Sequence, residues 1–270
     1  MENEIIKTQA ELPGFMQEDR ELGVSELRQF IIPPRLKIVQ PMSSEQYTEK
    51  FNKGDVVLAP QLVLVAPITM DSVTKRPTKS GQPFNFVPLF FFPEYLAWNP
   101  LESKGTLPAV RERSLDPQSE IARKARNPET REEPCPEVAR AMIRYQEHLN
   151  FIMLLVGTGD TAGIPVVASF SRGEHRTGTN LASLIAMRRA PIFGCVFEAT
   201  SKLRSNSKGE WYGLDISNPS VSSGVNAIVS DEVQYAALKK LHLEMKEAHA
   251  KNLIIVDHDD DMVEENEGKY

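Results

Sequence analysis

Three short segments of the chain set cationic side chains beside aromatic rings. The first holds Lys75, Arg76, Lys79, Phe84 and Phe86; the second Phe170, Arg172, His175 and Arg176; the third Lys202, Arg204, Lys208, Trp211 and Tyr212. Lysine and arginine follow a phosphate backbone, and an aromatic face accepts an unstacked base, each stack contributing roughly 1–3 kcal/mol. The chemistry these residues point to is the holding of a single nucleic-acid strand. Aromatic residues on strands are more often core, and Phe90, Phe91, Phe92, Phe151 and Phe193 are expected to be buried. Trp211 and Tyr212 are adjacent, so they face opposite sides of a strand and at most one of them stacks.

Signatures of turnover are missing. The glycine-rich stretch GTGDTAG at 157–163 is not followed by Gly-Lys-Ser/Thr and lies between two apolar runs, not ahead of a helix. There is no G-x-S-x-G, no H-E-x-x-H, and no H-x-E with P-C-x-x-C. The stretch DHDDDMVEENEG resembles a calcium loop, but Met262 stands at its obligatory glycine and Gly268 at its bidentate acid. Cys135 and Cys195 are the only cysteines and form no C-x-x-C, so neither a disulfide framework nor a zinc ribbon follows. The expectation is a non-enzymatic protein with no catalytic residue, metal or cofactor.

Charge is distributed unevenly. The chain of 270 residues carries a formal net charge of −6, which looks wrong for a nucleic-acid binder. All of it lies at the end: Asp257, Asp259, Asp260, Asp261, Glu264, Glu265 and Glu267 face only Lys269 before the final Tyr270. From Arg172 to Trp211, seven lysines or arginines outnumber three glutamates. A basic middle followed by an acidic end closed by an aromatic suits a protein that grips phosphates and recruits a partner through its tail. The N-terminus has acids where a signal peptide has its apolar segment, and no apolar run approaches the ~20 residues of a membrane helix. A cytosolic protein without membrane contact is expected.

The elements that must position these residues read as mainly β. Residues 1–34 form a polar N-terminal arm, with a short helix around Ser25–Phe30 stopped by Pro33 and Pro34. A strand is expected at 61–68, an exposed turn at TKRPTKSGQ, and a second strand over Phe84, Phe86 and Leu89–Phe92. Residues 99–144 read as a charged insertion, helical from Pro136 onward, with eight lysines or arginines and seven acids between Arg111 and Arg144. Apolar runs on either side of TGDTAG predict a hairpin over 149–171. Leu181, Leu184, Ile185 and Arg188 then fall at helical spacing, two more strands follow to about 217, and Ser230 caps a long amphipathic helix to Lys251. The sum is an OB-like barrel of five or six strands at 35–228, with a helix between late strands, a C-terminal helix at 229–252, and a flexible acidic tail at 253–270.

The order of segments resembles phage-encoded single-stranded DNA-binding proteins of OB fold. The likeness rests on PRLKIVQPMSSE followed by the turn of Phe51, Gly54 and Asp55, on FVPLFFFPEYLAWNP, on PVVASFSRGEHRTGTNL, and on PIFGCVFEATSKLRSNSKGEWYGLDI. It implies protection of single-stranded DNA during replication or recombination in the cytoplasm of an infected bacterium. Partners through the tail would be phage replication or recombination proteins, and a homo-oligomer is compatible with such a role. Members with cysteine pairs in the insertion differ from this chain, which has only Cys135 there. Two other readings share the same residues: a virion-associated or protein-interaction protein without DNA affinity, and a strand-annealing recombinase.

Overall fold

Runs rich in β-branched and aromatic residues, which fit a pleated surface, become strands. The computed structural model describes residues 32–74, 76–157, 163–207, 209–220 and 224–258. Within them the chain forms β1 (Arg35–Ile38), α1 (Glu45–Thr48), β2 (Val56–Ala59), β3 (Val63–Ala66), β4 (Ile68–Met70), β5 (Pro77–Gly81) and β6 (Phe84–Trp98). There follow β7 (Val110–Ser114), α2 (Glu120–Arg126), β8 (Glu132–Pro134), β9 (Met142–Val156), β10 (Pro165–Phe170), α3 (His175–Met187), β11 (Phe197–Asn206), β12 (Gly209–Ser217) and α4 (Glu232–Ala250).

The strands run in the order β3-β2-β1-β10-β9-β6-β11-β5-β4, with β12 added to β11. The two ends of this order, β3 and β4, are consecutive in the chain across Pro67, so the sheet curls into a nearly closed barrel. Proline lacks the N–H that a continuing ladder needs, which is why the strand expected at 61–68 breaks in two. The remaining gap lies between β1 and β12. One side chain bridges it: Gln40 Nε2 donates to the Tyr212 carbonyl at 2.7 Å, and Tyr212 N donates to Gln40 Oε1 at 2.9 Å.

The mainly β, OB-like architecture therefore holds, with α3 between β10 and β11 and α4 after the barrel. Among the described residues the strands number twelve, not five or six, because several carry no apolar alternation. TKRPTKSGQ, read as a turn, supplies β5, which pairs with both β4 and β11, and the charged β7 and β8 are strands as well. The expected helix at Ser25–Phe30 lies outside the described residues.

Two cores flank the central pair β6 and β9. Inside the barrel pack Leu36, Val56, Phe86, Phe151, Met153, Val166 and Phe197. On the outer face Val87, Leu89, Ile152, Leu154 and Val167 lie under Leu238 of α4 and under Ile254 and Val256 beyond it. With both faces covered, β6 and β9 read as near-continuous apolar runs, where a half-exposed strand would alternate. The cap of α4 is Asp231, whose carboxylate accepts from Gln234 N at 2.7 Å; Ser230 does not serve. Residues 253–258 are likewise no free tail. Ile254, Val256 and His258 are buried, and Arg35 donates to the Asp257 carbonyl at 2.9 Å.

Beyond the barrel, β6 and β9 stay paired from Glu94↔His148 to Trp98↔Arg144. This extension carries β7, β8 and α2 around a small core of Tyr95, Ala97, Ile121, Ala125, Ile143 and Tyr145. The insertion is thus a built arm. Its helix lies at Glu120–Arg126, capped by Ser119, and 136–140 is a bend and turn, since Pro134 and Pro136 flank Cys135 and disfavour helix there.

Candidate nucleic-acid interface

The three basic-aromatic segments become neighbours, though not all of their aromatic residues face outward. Lys202 of β11 pairs in register with Ser80 of β5, and Arg204 with Trp211 of β12. Trp211 packs against the turn Arg172–Glu174, its indole nitrogen donating to Glu174 Oε1 at 3.3 Å. Phe84 and Phe86 are corrections: they pack inside the barrel, so neither is a stacking face. Phe170 belongs to the same core. Tyr212 is also buried, its ring against Gly54, whose φ of +94° and missing side chain allow the close approach. As the alternation of a strand demands, only Trp211 of the adjacent pair stays half-exposed. Phe90 is half-buried and Phe91 remains partly exposed, while Phe92, Phe151 and Phe193 are buried.

Several of the cations are already engaged. Lys202 pairs with Asp215 across the hairpin. Arg204 lies 3.2 Å from Glu174 Oε1 and donates to Thr177 Oγ1 at 3.2 Å and to the Leu214 carbonyl at 2.5 Å. His175 Nε2 lies 3.2 Å from Glu147 Oε2. Arg76 and Lys79 are exposed on the β4–β5 hairpin, as is Arg176 near the start of α3. Lys75 and Lys208 lie outside the described residues, as do Asp259, Asp260, Asp261, Glu264, Glu265, Glu267 and Tyr270 of the tail.

Glu174 locks the turn to the barrel. Its carboxylate accepts from Thr177 Oγ1 and Leu214 N, each at 3.1 Å, besides meeting Trp211 and Arg204. Burial holds this carboxyl above the usual range, although the Arg204 charge and the bonds from Trp211, Thr177 and Leu214 pull it down. Glu174 and Arg204 cross β12 over Gly213, where an added Cβ would sit 2.2 Å from Glu174 Oε1. The turn so held presents Arg172 at φ +49°, a left-handed conformation that costs a non-glycine residue roughly 1–2 kcal/mol. Such strain collects where a side chain must be aimed.

From Arg172 a cleft of about 650 Å³ opens between the barrel and the arm. Arg172, His175, Arg176 and Thr179 form one wall; Arg126, Arg131, Arg144 and Tyr145 belong to the other. Five arginines here face two acids, Glu132 and Glu147. Arg126 binds Glu147 at 3.1 Å, Arg144 lies 3.4 Å from Glu132, and Arg131 Nε donates to the Ala125 carbonyl at 3.0 Å, so these guanidiniums are oriented before any ligand arrives. Tyr95 meets Arg126 behind this wall; burial, with the Glu147 charge next, pushes its phenol up to about 12, which keeps it a neutral donor. The arrangement places guanidiniums on both sides of the space, the chemistry an anion would need. Arg126, Arg131 and Arg144 escaped the sequence reading because the insertion balances its charges and gives no net signal.

Next to the cleft, and sharing Gln146 and Arg172 with it, lies a wedge of about 190 Å³. It exists because β1 meets β10 in a single parallel register, Arg35↔Val167, and diverges thereafter. Its walls include Ile38, Gln40, Ser171 and Tyr212, and Ser169 Oγ stands 3.0 Å from His148 Nδ1 at its base. Together, cleft and wedge are lined by seven lysines or arginines and three glutamates. Among the described residues no group of three or more His, Cys, Asp or Glu is placed to hold a metal ion, and no helix is long and apolar enough to cross a membrane.

No curated protein and no solved structure matches the chain. One family model does, and it spans the arm, the barrel and the C-terminal helix together. With that model matching residues 7–251, the chain belongs to the Pam3 phage gp34-like protein family.

Proposed function

We propose that this phage protein binds single-stranded DNA during replication or recombination, without enzymatic turnover, in the cytoplasm of the infected cell. The observation that carries the reading is the cleft with arginines on both walls, Arg126, Arg131 and Arg144 opposite Arg172 and Arg176. Guanidiniums present fixed forks to phosphate oxygens, and a phosphate track is the sequence-independent part of nucleic-acid binding. Trp211, half-exposed beside Arg172, adds one face on which a base stacks. The hairpin cations Arg76, Lys79 and Lys202 extend the track along the barrel's edge. The acidic end serves as the docking segment for replication or recombination proteins.

Ultraviolet cross-linking of a thymine oligonucleotide, with the attached peptides mapped by mass spectrometry, tests the placement. Adducts are expected within 126–146 and 170–179 and at Trp211. Adducts confined to α4, or none at all, would favour a protein-interaction role.

A further inference from the structure

The wedge between β1 and β12 has dimensions of its own. At about 190 Å³ it is larger than the ~30 Å³ that one water occupies and smaller than the ~300–1,000 Å³ of sites for drug-sized molecules. It suits one flat ring system. Its mouth opens beside the arginine cleft, because Gln146 and Arg172 line both spaces. A strand whose phosphates lie in the cleft therefore passes this mouth, with its bases free to turn in.

We infer that the wedge is a pocket for a single unstacked nucleobase of the strand held in the cleft, an assignment that rests on the nucleic-acid reading above. The wall groups fit that ligand. Ile38 offers a half-buried apolar surface, Gln146 carries both a donor and an acceptor, and a guanidinium such as that of Arg172 stacks on a base as an aromatic ring does. The far edge is rigid, since both ends of the Gln40 amide are engaged by the Tyr212 backbone. Arg172 is also held at positive φ, by a turn that Glu174 pins to β12. The pocket makes binding depend on the bases as well as on the phosphates.

Two strands of equal length and charge separate these contributions: a short oligo-dT, and the same sugar-phosphate backbone with every base removed. The wild-type protein is expected to hold the oligo-dT more than about tenfold more tightly, since the wedge base alone is worth that scale and stacking on Trp211 adds to it. Ser171→Leu fills the wedge without changing charge, and Gln146→Met replaces the wall amide with an apolar chain of similar length. Each is expected to cut the oligo-dT's advantage over the abasic strand about tenfold, leaving the part that stacking on Trp211 supplies, while the salt dependence of both strands stays unchanged. Equal wild-type affinity for the two strands overturns the pocket and leaves phosphate binding standing. A base preference that neither substitution reduces, in variants that melt like wild type, places the base elsewhere and also overturns it. Binding of neither strand fails the nucleic-acid reading itself, and the pocket with it.

Discussion

Arginines that reach one cleft from separate segments of the chain differ in how firmly they are held, and this orders the expected effects of their loss. Arg144→Ala, Arg172→Ala and Arg176→Ala combined should flatten the dependence of affinity on salt by ~0.7 log units per phosphate contact removed. The combination Lys202→Ala with Arg204→Ala should change that slope less, because neither residue lines the cleft and each pairs with an acid on its own hairpin or the adjoining turn. Parallel salt titrations of the two variants check the ranking; equal loss of slope would return the hairpin to the centre of the interface. The sequence made the basic middle legible, since seven cations against three acids is a net signal. It hid the arm's arginines for the opposite reason, and it could not separate Phe84 and Phe86 in the barrel core from stacking faces, since a strand's pattern does not say which of its faces is inside.

At the scale of elements, the C-terminal segment 253–258 joins α4 to the barrel's outer wall. Its anchor is Glu94, fully buried, which pairs with Arg113, lies 3.1 Å from His258 Nε2, and accepts from Asn150 Nδ2 at 2.8 Å. Burial pushes this carboxyl up, but the His258 hydrogen bond and the charges of His258, Arg113 and His148 outweigh it and leave it below its ordinary 4.5. A carboxyl lowered in the folded state stabilises the fold above its unfolded value, and that contribution is lost as pH falls through the lowered one. Melting temperature measured against pH should therefore fall on the acid side in the wild type and much less in Glu94→Gln. At neutral pH that variant should already be ~3 kcal/mol less stable, because it leaves the half-buried Arg113 without its acid. A wild-type acid limb unchanged in the variant would remove Glu94 as its source. Cutting the chain after His258 should leave the melting temperature intact and preserve or strengthen DNA binding; cutting before Leu253 should lower it, since burial of Ile254 and Val256 contributes ~1.5–3 kcal/mol each.

Elements were legible where one physical cause acted alone. The β9–β10 hairpin pairs Leu149 with Phe170, as its apolar runs and intervening turn residues required, and α3 follows its three-and-four spacing. Legibility failed where tertiary partners decide. β5 is mostly polar and becomes a strand through β4 and β11, β7 and β8 through the prolonged β6 and β9, and residues 253–258 settle on an apolar face that local sequence does not reveal.

For the whole molecule, the net charge of −6 and the arginine cleft are compatible because they come from different stretches of the sequence: the surplus acids fall from Asp257 onward, and the cleft is lined by residues between 125 and 179. Phosphates meet the local field, which Debye screening limits to about 8–10 Å at ordinary salt. The most direct measurement is fluorescence anisotropy of a labelled oligo-dT, titrated with the full-length protein at several salt concentrations and with duplex DNA as competitor. The predicted result is tight binding that weakens linearly on a logarithmic salt scale and that duplex does not displace. Absence of binding at low salt, or displacement by duplex at equal concentration, would contradict a single-strand-binding role.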